Sequence, residues 1–317
     1  MIPVPDRPFA PVCSETTRRY VLVTPAYNEA DYLRATIESV IHQTVPPCRW
    51  IIVDDGSTDD TPAIICTYAQ QCSFIQYHRR VRTDETSYFA SNVHAIMEGL
   101  QQVDWTGYEF VGVLDADITL PPDYYEAIFA RFDADPRLGV ASGVYENMVN
   151  GKLRKVINDR RSTPKAIQVF RAECFSQIGG YVPLRHGGED TCACIMARMR
   201  GWKSWSFPEL KVVHHRPTGM GNASGILGVR FMQGMCEYGL ATHPLFMLIK
   251  SLRRAILEPP VLIGGLLRLA GYLYGYVKRE SRDMPEQAAR FIRRDQFRRV
   301  IGLNRMAQES RVNRRSP

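Results

Sequence analysis

Two aspartates that follow an apolar segment are the residues of this sequence best suited to binding a metal ion. Phe110–Leu114 has the composition of a buried strand, and Asp115 and Asp117 come directly after it, separated by Ala116. Residues two apart in an extended chain point to the same side, so both carboxylates can face one point. Mg²⁺ takes oxygen ligands and usually keeps the phosphates of a substrate among them. The pattern therefore favours a metal-diphosphate site, although a polar turn after a buried strand also explains such a triplet.

Two more polar loops follow apolar segments earlier in the chain. Residues 24–29 (TPAYNE) follow the β-rich run Tyr20–Val23, and residues 54–59 (DDGSTD) follow Trp50–Val53. Strand and helix patterns alternate through this half of the chain, which predicts a parallel sheet with helices on both faces. Ligands bind at the carboxyl ends of strands in such sheets. We therefore expect these two loops and residues 115–119 to form one nucleotide-sized crevice.

The alternation is less regular after residue 136. Residues 187–190 are predicted to form a flexible, glycine-containing loop that leads into a helix. Earlier in the chain, Ser91 is predicted to cap a helix that runs to Leu100. The predicted elements of the later part are strands at 138–144, 166–170, 202–207 and 210–213 and a helix at 191–200.

The residues from Arg230 to Pro317 differ in charge from the rest of the chain. They contain 17 Lys and Arg and 7 Asp and Glu, a balance of +10, whereas the remaining residues hold 23 basic and 26 acidic side chains, a balance of −3. This asymmetry indicates an acidic partner surface, either a membrane or a nucleic acid. The sequence has no nucleic-acid recognition module and few aromatic residues after Phe297, so no nucleic acid is expected as a partner.

Residues 240–277 are strongly apolar but are interrupted by prolines, lysine and arginines, among them Pro244, Lys250 and Arg268. The longest uninterrupted run is far shorter than the ~20 apolar residues that a membrane-spanning helix needs. Apolar segments mixed with Arg and Tyr fit helices that lie in a membrane interface. A helical subdomain packed on the rest of the chain, or an oligomer interface, fits the same pattern.

The cysteines and the first residues bear on the cellular compartment. The eight cysteines are irregularly spaced and form no Cys-x-x-Cys pair. The proline-rich start lacks a basic segment followed by an apolar run, so no secretory signal peptide is expected. This combination predicts reduced thiols in the cytosol. The predicted organisation is an arm at 1–17, a domain at 18–228 and a basic, apolar helical extension at 229–317.

Three segments, in order, resemble the signatures of the family 2 glycosyltransferases: TPAYNE (24–29), VDDGSTDDT (53–61) and LDADITLPPDYYE (114–126). A fourth, Gly188-Glu189-Asp190, follows the Asp-Ala-Asp triplet by about seventy residues, as the acceptor-side Glu-Asp motif does in that family. The resemblance covers roughly residues 18–216. It implies a GT-A fold, which is an α/β, Rossmann-like mixed sheet with helices on both faces, and inverting sugar transfer of the kind that assembles bacterial polysaccharides.

The resemblance also implies roles for the matching residues. Asp190 would be the general base, and Glu189 would assist it by like-charge repulsion or by orienting the acceptor. Mg²⁺ or Mn²⁺ would be bound by Asp115 and Asp117, and His214 or His215 is a candidate further ligand. The residues expected to bind a nucleotide sugar are Pro25, Ala26, Tyr27, Glu29, Asp54, Asp55, Gly56, Asn92, Asp115, Ala116, Asp117 and Arg216. Arg80 and Arg82 are further candidates, although a solvated surface explains these arginines equally well.

The implied activity is metal-dependent single displacement, with a UDP-sugar as the family's commonest donor. The acceptor would be a hydroxyl of a glycan or of a polyprenyl-diphosphate-linked glycan, and the basic C-terminal region favours a peripheral position on an anionic membrane, at the cytoplasmic face of the inner membrane. One alternative is a processive polysaccharide synthase. Residues 296–300 (QFRRV) lack the tryptophan of the Gln-x-x-Arg-Trp motif that processive relatives carry. Another is a non-catalytic nucleotide-sugar-binding protein, which the intact carboxylates at 115, 117 and 190 disfavour.

Overall fold

The structure is a computed structural model that describes residues 18–82, 87–104, 107–156, 159–216 and 225–302. The chain forms two compact units. The first unit holds the described residues of Met1–Tyr181 and Glu189–Thr218, and the second holds those of Val182–Gly188 and Gly219–Pro317. The second unit thus includes a short segment from within the domain that was predicted at 18–228.

Nine strands of the described residues form one mixed sheet, which is the frame of the first unit. They are β1 (Tyr20–Ala26), β2 (Arg49–Asp54), β3 (Ile75–Arg79), β4 (Phe110–Val113), β5 (Ile118–Thr119), β6 (Leu138–Val149), β7 (Lys152–Lys155), β8 (Val169–Arg171) and β9 (Lys203–His214). Their order is β3-β2-β1-β4-β8-β6-β9-β5, with β7 paired to β6. The first four strands are parallel, whereas β8 is antiparallel to β4 and β6. The carboxyl ends of β1, β2 and β4 therefore meet at one edge, as predicted.

Helices cover both faces of this sheet. In the first unit they are α1 (Leu33–Ile41), α2 (Thr61–Gln71), α3 (Tyr88–Gln101), α4 (Tyr124–Ala134), α5 (Ala172–Ile178) and α6 (Glu189–Met199). Tyr20 and Leu22 of β1 belong to the buried cluster that contains α1, α2 and α4. Val21 and Val23 belong to the cluster on the other face, with α3, α5 and α6. This division by alternate residues is what a strand covered on both faces requires, and the predicted α/β architecture is confirmed.

Several elements differ from the predictions for local reasons. Ser87 caps α3 by accepting a hydrogen bond from the backbone N–H of Ala90 at 3.2 Å, so Ser91 lies inside the helix. The two strands predicted at 202–213 are one strand, β9, whose pairing with β6 shifts register near Pro208. The strand predicted at 166–170 is a 3-10 turn at Lys165–Ile167 followed by β8.

The second unit is helical. Its helices are α7 (Gly225–Gly239), α8 (Pro244–Leu257), α9 (Ile263–Lys278) and α10 (Glu286–Val300). α7 and α9 pack closely, since a Cβ atom at Gly271 would lie 2.1 Å from the carbonyl oxygen of Phe231, and only glycine allows that approach. Within the described residues, no helix is both long enough and apolar enough to cross a membrane.

The state of the cysteines differs in part from the prediction. Cys66, Cys72, Cys174, Cys192, Cys194 and Cys236 are free thiols. Cys48 is disulfide-bonded. The expectation of reduced thiols is therefore wrong at Cys48.

Candidate active site

Hydrogen bonds join the loop after β1 to the loop after β2. The backbone N–H of Asn28 donates to Ser57 Oγ at 3.0 Å, and the backbone N–H of Glu29 donates to Thr61 Oγ1 at 2.8 Å. The side-chain oxygen of Asn28 accepts from the backbone N–H of Thr58 at 2.8 Å. Asn28 adopts a φ of 54°, which asparagine tolerates better than most residues. The two signature loops therefore form one continuous wall.

Asp54 is a buried residue that stabilises this wall. Its buried carboxylate accepts from the backbone N–H of Ser57 at 2.7 Å and from the hydroxyl of Tyr77 at 3.1 Å. Gly56 follows with a φ of 82°, in the left-handed region that favours glycine. Asp54 thus stabilises the turn, and the next residue, Asp55, is the aspartate of this pair that lines the adjoining pocket.

A polar pocket lies at the carboxyl edge of the parallel strands. It is lined by Pro25, Ala26, Tyr27, Glu29, Asp55, Arg82, Tyr88 and Asn92. Six of these are residues expected from the sequence to bind a nucleotide sugar, and Tyr88 was missed because no signature contains it. The Arg82 guanidinium lies over the Tyr27 ring, 4.1 Å from its centroid. The pocket thus combines aromatic rings, one cation and carboxylates.

Asp55 is held by two buried partners. Its carboxylate forms an ion pair with Arg80 and accepts from the hydroxyl of Ser91 at 2.6 Å. Arg80 also donates to Ser91 Oγ at 3.1 Å. Asp55 is 4% exposed and Arg80 7% exposed, and buried charges are stable only when they are paired. Arg80 is therefore an interior cation of the pocket wall and not a solvated surface residue.

We expect Arg80→Met to lower the free energy of unfolding by about 3–5 kcal/mol, because it leaves the Asp55 carboxylate buried without its cationic partner. Arg79→Met is the matched control. Arg79 is largely exposed and lies 3.9 Å from Asp54, so we expect a change of about 0.5 kcal/mol or less. Equilibrium unfolding in urea measures both values. An equal loss in the two variants would contradict the role given to Arg80.

Lys165 links the Asp-Ala-Asp segment to the Glu-Asp segment. Its Nζ donates to Asp115 Oδ1 at 2.6 Å and to Asn92 Oδ1 at 2.8 Å. Its backbone N–H donates to Asp190 Oδ2 at 3.3 Å. Burial lowers the pKa of the Lys165 ammonium, but the nearby Asp115 and Glu189 carboxylates outweigh burial and raise it. Asp115 and Asp190 therefore contact the same protonated residue.

Sequence reasoning missed Lys165. It lies in the turn before β8 and belongs to none of the four signatures. Its proximity to Asp115 depends on the antiparallel pairing of β8 with β4, and no local pattern indicates that pairing.

Glu189 and Asp190 occupy the first turn of α6, and not a flexible loop as predicted. Burial raises the pKa of Glu189 to about 7, against the attraction of Lys165. Burial also raises the pKa of Asp190, against hydrogen bonds from the backbone N–H groups of Thr191 and Lys165. A raised pKa makes a carboxylate a stronger base, which removal of a proton from an alcohol requires.

Glu189 should make the stability of the protein depend on pH. The folded protein keeps this proton up to about pH 7, whereas an ordinary glutamate loses it near pH 4.5. The folded state thus binds more protons between these values, so the free energy of unfolding falls as the pH rises through this window. We expect Glu189→Gln to be more stable than the parent protein above pH 7, by about 2–3 kcal/mol, and equally stable below pH 4.5.

Thermal unfolding over this pH range tests the Glu189 prediction. Glu29 contributes in the same direction, because burial raises its pKa to about 7 as well, so some pH dependence should persist in the variant. Glu286→Gln is the control, since Glu286 is exposed in the second unit. A Glu189→Gln variant whose stability follows the parent protein at every pH would refute the assignment.

Asp117 lies between the imidazole of His214 and the guanidinium of Arg216. Its Oδ1 is 3.3 Å from His214 Nε2, and its Oδ2 accepts from Arg216 Nε at 3.3 Å. Burial raises the pKa of Asp117, but the bond from His214 and the charge of Arg216 outweigh it and lower the pKa below its usual value. Arg216 also forms an ion pair with Glu29. Asp117 is therefore ionised, and Arg216 joins it to the loop after β1.

His214, and not His215, has its ring beside Asp117. The Nδ1 atom of His214 is 3.0 Å from the side-chain oxygen of Asn147, a contact that fixes the ring. His215 instead forms a 2.6 Å hydrogen bond with Thr119 Oγ1 through Nε2. The pairing of β5 with β9 brings both histidines to this edge.

Asp117 and His214 fit a divalent cation that is shared with a bound diphosphate. Among the described residues, no group of three or more His, Cys, Asp or Glu side chains converges to hold a metal ion by itself. Mg²⁺ usually binds through one or two carboxylates together with the phosphates of a substrate, and imidazole also suits transition metals. One carboxylate and one imidazole are therefore an adequate protein donor set. Asp115, by contrast, faces Lys165.

Comparison with known proteins identifies the family. The model of the family "Glycosyl transferase family 2" matches residues 21–198, which is more than half of the chain. The chain belongs to this family. The matched residues of this family 2 glycosyltransferase run from β1 into α6 and include the pocket, Lys165 and Asp190.

Two curated relatives of the glycosyltransferase are polysaccharide synthases. The poly-beta-1,6-N-acetyl-D-glucosamine synthase of Staphylococcus epidermidis is 30% identical over 117 residues, which cover 37% of this chain and 26% of that protein. The chondroitin synthase of Escherichia coli is 32% identical over 130 residues, which cover 38% of this chain and 17% of that protein. The match thus spans about a quarter or less of the length of these relatives.

A solved structure shares the fold of this glycosyltransferase. The mannosyltransferase PcManGT from Pyrobaculum calidifontis, in complex with GDP-Man and Mn²⁺, superposes with a TM-score of 0.54 at 17% sequence identity. The match covers 84% of this chain and 78% of that one. The predicted GT-A fold is therefore confirmed.

Proposed function

We propose that this glycosyltransferase transfers a sugar, with inversion, from a nucleotide sugar to a hydroxyl of a glycan or of a polyprenyl-diphosphate-linked glycan. The observation that carries the proposal is the Lys165 bridge between Asp115 and Asp190. It supports a base and a donor-binding carboxylate at one edge of the sheet, which a single displacement requires. The names of the two curated relatives support a role in polysaccharide assembly.

The donor is held by the pocket. The Tyr27 ring, with the Arg82 guanidinium over it, offers a stacking surface for the nucleobase. Asp55 offers a carboxylate that can accept a hydrogen bond from the nucleobase or the ribose. Arg216, beside Asp117 and Glu29, supplies a cation for the diphosphate. Asp117 and His214 would hold Mg²⁺ or Mn²⁺, which supplies Lewis-acid stabilisation of the departing diphosphate.

The acceptor is activated by Asp190. Its carboxylate takes the proton from the acceptor hydroxyl, and the oxygen attacks the anomeric carbon on the face opposite the diphosphate. The new carbon–oxygen bond forms as the bond to the diphosphate oxygen breaks, so the anomeric configuration inverts. The backbone N–H groups of Lys165 and Thr191 orient Asp190 for this transfer. Glu189 keeps its proton up to about pH 7 and would then add no second negative charge beside the base.

The proposal extends to the cellular setting. A UDP-sugar is our first choice of donor. The basic second unit supports a peripheral position on an anionic membrane, at the cytoplasmic face of the inner membrane. The processive alternative is favoured by the names of the two relatives. The missing tryptophan after Arg299 argues for single additions instead.

A thermal-shift screen of UDP-, GDP- and dTDP-sugars with Mn²⁺ tests the proposal, because a bound ligand raises the melting temperature according to its affinity. We expect one nucleotide class to stabilise the protein and Asp55→Asn to weaken the shift. Hydrolysis of that sugar without acceptor distinguishes an enzyme from a binding protein, and the anomeric configuration of the product distinguishes inversion from retention. No shift with any nucleotide sugar would overturn the proposal.

A further inference from the structure

The α8–α9 hairpin of the second unit exposes apolar side chains where a water-facing helix carries polar ones. Along α8, Leu245, Ile249, Leu252 and Ile256 are exposed and recur every three or four residues, so they share one face of the helix. The opposite face, with Met247, Ser251 and Ala255, is buried. The helix is thus amphipathic with an apolar outer face.

The exposed apolar residues are densest where the hairpin turns. We define the hairpin tip as Leu252, Ile256, Leu257, Val261, Leu262, Ile263 and Leu266, all of which are exposed. Ile256 is 72% exposed and Leu266 is 66% exposed. Leu262 adopts a φ of 65°, a costly conformation for a residue other than glycine that tends to persist where it has a function. Contiguous apolar surface of this kind marks a binding surface.

Positive charge lies directly behind the tip. Glu258, in the turn, forms ion pairs with Arg230, Arg254 and Arg268. Residues 244–278 contain five basic side chains and this one acidic side chain, a balance of +4. Arg268 is buried and Lys250 pairs with Glu237, so the exposed cations of this range are Arg253 and Lys278. The surface is therefore both apolar and cationic.

We propose that the hairpin tip docks on an anionic lipid bilayer, with its aliphatic side chains among the acyl chains and the basic residues against the lipid phosphates. Such a bilayer supplies hydrocarbon and negative charge at one surface, which is the pairing that interfacial amphipathic helices use. α8 has 14 residues and is about 21 Å long. It is therefore too short to cross a hydrocarbon layer of ~30 Å and would lie in the interface of that layer. A second copy of the chain fits less well, because a two-fold contact would oppose the same cationic patch to itself.

Vesicle co-sedimentation of the full chain tests the docking surface. We expect binding to vesicles of phosphatidylcholine mixed with phosphatidylglycerol, little binding to phosphatidylcholine alone, and a loss of binding as salt is raised. The double variant Ile256→Glu, Leu266→Glu should bind the mixed vesicles at least about tenfold more weakly. Both positions are highly exposed, so the fold should persist, and circular dichroism checks it.

Leu153→Glu is the matched control, because Leu153 is an exposed leucine of β7 in the first unit, and it should bind vesicles as the parent protein does. Parental binding by the double variant would overturn the proposal. Absence of vesicle binding together with a dimer that the double variant dissociates would also overturn it and identify a second copy as the occupant. The inference rests on the membrane position proposed above, so its failure would remove that position. Donor binding and sugar transfer are measured separately and would still test the transferase activity.

Discussion

Asp190→Asn is expected to reduce kcat by about 10³-fold or more while the affinity for the nucleotide sugar stays within about twofold of the parent value. Asparagine has the shape of aspartate and can still accept the hydrogen bond from the backbone N–H of Lys165, so the donor site should persist. Its amide, however, cannot take a proton from the acceptor hydroxyl. Turnover at saturating donor and acceptor gives kcat, and calorimetric titration with the donor gives the affinity.

The control for Asp190→Asn is Asp123→Asn. Asp123 is an exposed residue before α4 whose side chain makes no cap hydrogen bond, so both kcat and donor affinity should be unchanged. If Asp190→Asn retained near-normal turnover, Asp190 would not be the base. If it lost donor binding to the same extent as turnover, its role would be structural.

Asp117→Asn is expected to weaken metal-dependent binding of the nucleotide by at least about 100-fold, with a comparable loss of turnover. The substitution removes the negative charge that Asp117 holds between His214 and Arg216. An amide is a poor ligand for a divalent cation, and it would leave Arg216 with Glu29 as its remaining carboxylate partner in this group. Titration of Mn²⁺ in the presence of a nucleoside diphosphate measures the effect without a need for catalysis.

The two histidines provide an internal control for the metal site. His214→Gln should weaken Mn²⁺ binding, because the ring of His214 lies beside Asp117. His215→Gln should have little effect, because that ring is bonded to Thr119. Equal effects of the two substitutions would contradict the assignment of His214, and full activity in EDTA would contradict a metal site at Asp117.

The edge of the sheet at which the pocket lies was predictable because it depends on local rules. Apolar runs that end in polar loops define β1, β2 and β4, and parallel strands bring those loops to one edge whatever their separation along the chain. The rule alone places Tyr27, the pair Asp54 and Asp55, and Asp117 at this edge, but it does not say which aspartate of the pair lines the pocket. The fold class follows from the alternation of strands and helices in the same way.

The partners of these residues were not predictable, because they come from long-range pairing. Arg80 reaches Asp55 from the end of β3, and Lys165 reaches Asp115 only because β8 returns antiparallel to β4. Glycines at 187 and 188 suggested a loop, whereas α6 begins directly after them at Glu189. Local composition predicts where strands and helices end. The contacts that complete the site depend on which strands of the chain pair with each other.

In the proposed reaction, Lys165 would connect the donor side of the site to the base. Its ammonium group donates to Asp115, and its backbone N–H donates to Asp190. A shift of this turn by a fraction of an ångström would therefore move the leaving-group side and the attacking side together. Under the proposed mechanism, one short piece of backbone would thus set the alignment of donor and acceptor on both sides at once.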